Sequence, residues 1–272
     1  MSTIPKENLF FFGIEQISEK FGETGKTHYI CSMKKEIMAF AAIVCFLVAQ
    51  VQTACAQGFP AKWKAAAVVS DKEVAAAGLD RCFTAEPLSD AVFGRMQGKS
   101  WKKDCTLQRD ELRYLKMLHR NAKGQTQLGE MVVNTKIADR VLRIFRKLYE
   151  SGYRIERMVL IDDYDADDDR SMEANNTSAF NYRYISGTQR LSNHSRGLAI
   201  DLNTRYNPYV TSRGVSPKSA KGYAYNRDRR NDIPYKIDHK DLAYKLFKAE
   251  GFQWGGDWKT VKDYQHFEFP EN

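Results

Sequence analysis

The chain has 272 residues, of which 43% are hydrophobic, 28% charged and 12% aromatic. That composition supports one sizeable core or two small ones and excludes a disordered or collagen-like chain. With 17 Gly and 7 Pro there is no low-complexity tract, and no internal repeat. The formal charge is +8, and residues 1–56 hold five basic and five acidic side chains, so all of the excess lies downstream. A basic folded part points to an anionic partner, whether nucleic acid, anionic lipid or an acidic wall polymer.

From the N-terminus, the only long apolar run is Ile37 to Val51, preceded by Met33-Lys34-Lys35 and followed by Thr53-Ala54-Cys55-Ala56. A basic segment, an apolar segment and an Ala-x-Ala site describe a secretory signal peptide over 33–56. The run is shorter than the roughly 20 residues needed to cross a bilayer, so no stable membrane insertion is expected after cleavage. Residues 1–32 read as an upstream extension, with translation starting at Met33. A lipid anchor at Cys55 is the weaker alternative, because Gln52 stands where an aliphatic residue is wanted. Export leaves Cys82 and Cys105 in the mature chain, either paired or as two separate thiols. Neither has a Cys-x-x-Cys spacing, so a cysteine zinc site has no support.

Residues 57–80 are rich in Ala and Lys and read as a tether or peripheral helix, with the folded domain over 81–272. Leu112, Leu115 and Leu118 have helical spacing. Ile137, Val141, Ile144, Phe145 and Leu148 place one apolar face on a helix over 134–150, with Gly152 as its stop. Arg157 to Asp162 reads as a buried strand, and Asp238 to Glu250 as a helix with Asp238 as N-cap and Gly251 beyond its end. Elements that mix without regular alternation indicate an α+β fold: a single compact domain with a small antiparallel sheet and helices packed on it. Two short strands matter most. In 197–203, Leu198, Ile200 and Leu202 face one way and Asp201 the other; in 264–269, Phe267 and Phe269 oppose His266 and Glu268. If these strands are neighbours, Asp201 and His266 share a polar face.

Ser192-Asn-His194 with Asp201 seven residues beyond the histidine, and Asp263-Tyr-Gln-His266, together supply two imidazoles and a strand-borne carboxylate. His194, Asp201 and His266 make three ligands of the type a catalytic zinc site uses, with a fourth position for water. A further carboxylate must take that water's proton without binding the metal, and Asp263 is placed for it. His119 and His239, on predicted helical segments, read as structural. Asp163, Asp165 and Asp167 alternate like a calcium loop, but Asp168 and Ala174 stand where Gly and Glu are wanted, which favours a solvated loop. The basic clusters Lys99 to Lys103 and Arg227 to Arg230 read as solvated surface, or as attraction to anionic wall polymer. No recognition helix, zinc finger or aromatic-basic motif argues for nucleic acid.

These residues resemble the zinc D-alanyl-D-alanine carboxypeptidase family of VanY type, including its phage L-alanyl-D-glutamate endopeptidase branch. The pattern is Ser-x-His-x6-Asp, followed late by Asp-x-x-His-Phe-Glu. The likeness extends to Gly129 to Asn134, Leu160 to Tyr164, Asn175 to Arg183, Gly187-Thr188 and Gly255 to Trp258, spanning about 86–269. The resemblance implies that His194, Asp201 and His266 bind zinc, that Asp263 is the general base, and that Arg183 polarises the scissile carbonyl or holds a substrate carboxylate. Arg196 competes with Arg183 for that assignment. Ser192 either orients substrate or shapes the loop, and Glu268 is the alternative base, ranked as a supporting group. Trp254, Trp258 and Tyr264 either wall the cleft or belong to the core.

The function this implies is an exported zinc metallopeptidase, periplasmic or extracellular, that hydrolyses bonds in peptidoglycan stem peptides. A catalytically weak wall-binding module and a structural zinc site are the alternatives. The first has no need of Asp263, and the second prefers four protein ligands.

Overall fold

The computed structural model describes residues 37–38, 62–185 and 187–271. The extension and leader expected over 1–56 lie outside these, apart from Ile37 and Met38, which are helical and exposed. Residues 58–272 form a unit separate from 1–57 and combine helices with three small antiparallel sheets, the α+β class expected. The chain passes through α1 (Asp71–Ala77), β1 (Thr84–Pro87), α2 (Asp90–Met96), β2 (Leu112–Arg120), β3 (Thr126–Asn134) and α3 (Ala138–Glu150). There follow α4 (Asp168–Glu173), β4 (Ala199–Asp201), β5 (Tyr209–Thr211), β6 (Gly214–Ser216), α5 (Lys221–Ala224), α6 (Leu242–Ala249), β7 (Gln253–Trp254), β8 (Lys262–Asp263) and β9 (His266–Glu268). The sheet orders are β1-β2-β3, β4-β9-β7 and β6-β5-β8. Among the described residues no helix is long and apolar enough to cross a membrane.

The leucines of 110–120 lie on β2, a strand and not the helix their spacing suggests. As the central strand of its sheet, β2 is covered on both faces. Leu112 and Tyr114 join one apolar cluster with Val92, Met96 and Phe180, while Leu115, Met117 and Leu118 join another with α3 and Phe267. A strand buried on both sides loses the period-two signature, and its leucines then mimic a helical repeat. The helix expected over 134–150 is α3, which starts at Ala138 because Asn134 still pairs with Leu112 at the end of β3.

Of the segment Arg157 to Asp162, Arg157 is exposed and Met158 to Asp162 are buried, and it joins no ladder beyond a single bridge between Arg157 and Asn176. The side chain of Asn176 replaces a neighbouring strand: its Oδ1 accepts from Val159 N (3.1 Å) and its Nδ2 donates to Val159 O (3.1 Å). The last long helix, α6, is capped by Asp241, which accepts from Ala243 N at 2.9 Å. Asp238 instead accepts from Lys240 N in the preceding turn, so the helix begins later than its first acidic residue suggests. Residues 63–69 lie along the outer edge of β3, where Ala66 N donates to Leu128 O (2.8 Å) and Trp63 Nε1 to Gly129 O (3.1 Å). Packing therefore reaches back past Arg81. Cys82 is buried in the larger cluster, Cys105 borders the smaller one, and both are free thiols.

His119 is structural, although on β2 and not on a helix. Its Nδ1–H donates to Ile155 O at 2.7 Å, Nε2 has no partner among the described residues, and burial drives its pKa down to about 4. The unfolded chain binds a proton near 6.5, so the ring's stabilising neutrality is complete above that pH and is lost as pH falls toward 4. Stability is expected to fall by up to about 3 kcal/mol across that window. Urea unfolding of wild type and His119→Leu at each pH checks this, the variant losing that part of the slope.

Candidate active site

Three segments converge through ordinary local rules. Asp201 and His266 are direct cross-strand partners in the β4–β9 pair. The alternation that sends Leu198, Ile200, Leu202 and Phe267 into the core turns both toward one polar face. His194 sits on a single 3₁₀ turn, Asn193–Arg196, capped by Ser192, whose Oγ accepts from His194 N at 3.3 Å. Gly197 ends that turn at φ +65°, where a Cβ would lie 2.7 Å from Asn134 N, so only glycine lets the turn dock on the end of β3.

His194 Nε2 lies 3.2 Å from His266 Nδ1 and 3.2 Å from Asp201 Oδ2, and His266 Nδ1 lies 3.0 Å from Asp201 Oδ1. Ligands on a tetrahedron of 2.0–2.1 Å bonds stand about 3.3 Å apart, close to the separation of the two ring nitrogens, and each of these nitrogens faces a different oxygen of Asp201 at a similar distance. Both ring tautomers are set from behind: His194 Nδ1–H donates to Ala179 O (2.6 Å), and His266 Nε2–H donates to Glu268 Oε2 (3.2 Å). The nitrogens left with lone pairs are those that face each other. Glu268 is itself held by Asn193 Nδ2. Glu268 is thus bonded to both His266 and Asn193, which orients the His266 ring. Among the described residues no other group of three or more His, Cys, Asp or Glu side chains is poised to hold a metal.

The electrostatics fit a cation. Burial works to raise the Asp201 carboxyl, yet the two imidazoles hold it well below the usual carboxylate range. Burial works to lower His266, yet hydrogen bonds to Asp201 and Glu268 push it up to about 10. Three carboxylates around two imidazoles thus demand positive charge, which a divalent ion supplies and which a proton on His266 supplies in its place. Asp263 is pushed up to about 7, first by burial, with the charges of Asp201 and Glu268 adding and His266 and Arg183 opposing. Its Oδ1 is buried with no hydrogen-bond partner among the described residues.

Asp263 lies on β8 opposite Tyr209, and Gly255 is packed against it. A Cβ on Gly255 would stand 2.6 Å from Asp263 O and 2.8 Å from Asp263 Cβ. Gly255→Ala is therefore expected to displace Asp263 and lower turnover about 10²-fold without releasing metal. Steady-state kinetics beside atomic absorption checks it.

The site opens into a cleft of about 730 Å³ lined by all four of these residues together with Arg183, Ser192 and Trp258. Arg183 pairs with Asp168, and its backbone is tied to the histidine turn by Ser195: Arg183 N donates to Ser195 Oγ (2.7 Å), which donates to Arg183 O (2.6 Å). Arg196 pairs with Glu271 and does not line the cleft, so of the two arginines only Arg183 is available to a ligand there. Trp258 walls the cleft, its ring 5.3 Å from that of His266. Trp254 is buried against His239 and Tyr244, and Tyr264 carries Arg227 over its ring. His239 is exposed and pairs with Asp257.

The acidic run is exposed at Asp163, Asp165, Asp167 and Asp169, as expected of a solvated loop, but Asp162 is buried and the carboxylates have partners in the fold. Asp162 is buried and accepts from Ser100 N (3.0 Å), Asp163 pairs with Arg95, and Asp165 pairs with Lys99 and Arg170. Asp167 caps α4, Asp168 accepts from Asn181 Nδ2 (3.0 Å), and Asp169 accepts from Ser216 Oγ (3.0 Å). Asp167, Asp168 and Asp169 form one wall of the cleft. Asp168, Ser195 and Asn193 are the site residues that sequence reading missed, each acting through a partner distant along the chain.

No solved structure matches the chain. Residues 186–269, a span that holds His194, Asp201, Asp263 and His266 and begins just beyond Arg183, match a family model described as D-alanyl-D-alanine carboxypeptidase.

Proposed function

We propose that the protein is an exported zinc peptidase that hydrolyses bonds in peptidoglycan stem peptides, either a terminal D-Ala-D-Ala bond or an internal L-Ala-D-Glu bond. The observation that carries this reading is the convergence of the His194 and His266 ring nitrogens and the two Asp201 oxygens, at 3.0 to 3.2 Å, in a cleft that also holds the unpartnered Asp263 carboxylate. The family match over 186–269 and the +8 charge, suited to an anionic wall, support it.

A zinc ion on His194, Asp201 and His266 would supply a Lewis acid and lower the pKa of water at the site. The protein's own groups do the rest. Asp263 takes the proton of the attacking water at its free oxygen and returns it to the departing amine. Arg183, held by Asp168 at one edge of its guanidinium, donates to the carbonyl oxygen as negative charge grows there. Trp258 covers the His266 side and limits access of bulk water. A wall-binding module has no use for a carboxylate of raised pKa beside the metal ligands, and a structural zinc site prefers four protein donors where three converge.

The test is to incubate the full chain with muropeptides, with and without zinc, and identify products by mass spectrometry. A zinc-dependent new amine terminus supports the reading and names the bond. Intact muropeptides with zinc-loaded protein reject hydrolysis and leave the wall-binding module.

A further inference from the structure

Two arginines and no lysine line the cleft, and they keep different company. Arg183 is paired with Asp168, so its charge is offset and one edge of its guanidinium is occupied. Arg190 is exposed and, among the described residues, meets no carboxylate within ion-pair distance. Its backbone is nonetheless placed by a tight turn, with Ile185 N donating to Arg190 O (2.8 Å) and Arg190 N donating to Thr188 Oγ1 (3.1 Å).

The remaining acidic lining of the cleft is Asp167, Asp168, Asp169, Asp201, Asp263 and Glu268. An incoming carboxylate is repelled along most of this surface, and Arg183 is already committed. Only Arg190 offers an uncompensated guanidinium, whose fork of N–H groups matches a carboxylate in two parallel hydrogen bonds. We propose that Arg190 is the specificity-determining contact for a free carboxylate of the substrate peptide, while Asp168 reserves Arg183 for the reacting carbonyl. This rests on the peptidase reading above. In a stem peptide with lysine at its third position the carboxylate has two sources, the chain terminus and the D-Glu residue.

Equilibrium binding separates the possibilities. The zinc-loaded full chain carrying Asp263→Asn, whose turnover is slowed enough for a binding measurement, is titrated by calorimetry with three forms of one stem pentapeptide: the free acid, the C-terminal carboxamide, and the form with D-Glu replaced by D-isoglutamine. The free acid is expected to bind about tenfold or more tightly than one of the two amides, and which amide is weak names the source. Adding Arg190→Gln is expected to erase that preference, and Arg190→Lys to keep part of it. An unchanged preference in Arg190→Gln, or equal weakening of all three peptides, overturns the proposal. In the otherwise native chain, Asp168→Asn frees Arg183. It is expected to bind the acid more tightly while kcat falls, and parallel losses in kcat and affinity reject the division of roles. Selective binding by a chain that cleaves nothing leaves Arg190 assigned and rejects the peptidase reading. Binding of none of the peptides rejects both.

Discussion

Asp263→Asn is expected to lower kcat by about 10²–10⁴-fold while zinc content stays at one ion per chain and the melting temperature does not fall. Asparagine fills the same space but cannot take a proton. Its carbonyl oxygen replaces an Oδ1 that makes no hydrogen bond, so no packing contact or ladder is lost. The backbone placement by β5 and Gly255 is untouched. The sign of the pH dependence follows from the same group. Burial holds the metal-free carboxyl up to about 7, and a bound cation stabilises the carboxylate and moves that value down. Turnover should therefore fall on the acid side, with a limb at or below pH 7, as the base becomes protonated. In Asp263→Asn the residual rate should lose that limb. Retention of both the limb and the rate would remove Asp263 from the reaction and return Glu268 to consideration, despite its bonds to His266 and Asn193.

Much of this centre is legible in one dimension because short strands obey a strict rule. Alternation placed Asp201 and His266 on polar faces, and antiparallel pairing then made them neighbours. His194 was reachable because seven residues separate it from Asp201, room for one turn, a glycine and a strand start. What escaped reading depends on contacts between distant segments. β2 reads as a helix because both its faces are buried, and residues 157–162 read as a strand from their apolar run, although in the fold the Asn176 side chain takes the place of a neighbouring strand. Arg227, taken as surface, is buried: its Nη1 donates to Tyr206 O (2.7 Å) and it lies over the Tyr264 ring. Lys99, in the other basic cluster, pairs with Asp165. Acidic and basic runs looked independent in the sequence; in the fold Lys99 pairs with Asp165 and other arginines take up more of the acidic run, and what is left over, as at Arg190, carries the information.

Glu130→Ala is expected to be the most destabilising single truncation near the site. Glu130 is 2% exposed, receives both Nη groups of Arg95 (2.9 and 2.6 Å) and the Tyr114 hydroxyl (2.6 Å), and faces Leu160 N at 3.5 Å. These bonds join α2, β2, β3 and the start of the acidic run, so one carboxylate fastens the cleft's acidic wall to the first sheet. Removing it leaves a buried hydroxyl without an acceptor and a guanidinium whose main partner is gone. Breaking a buried pair of this kind costs about 3–5 kcal/mol. Because the Arg95 side chain is 38% exposed and keeps Asp163, the lower end applies, near 3 kcal/mol. For a unit of this size that corresponds to a fall of roughly 6–12 °C in melting temperature. Calorimetry of Glu130→Ala, Tyr114→Phe and the double variant measures the share owed to the hydroxyl, since the two losses should be less than additive. The contrast with Asp263→Asn is the physical point: one carboxylate is fully bonded and its loss is felt in stability, while the other is left unbonded where the chemistry needs it and its loss is felt in rate.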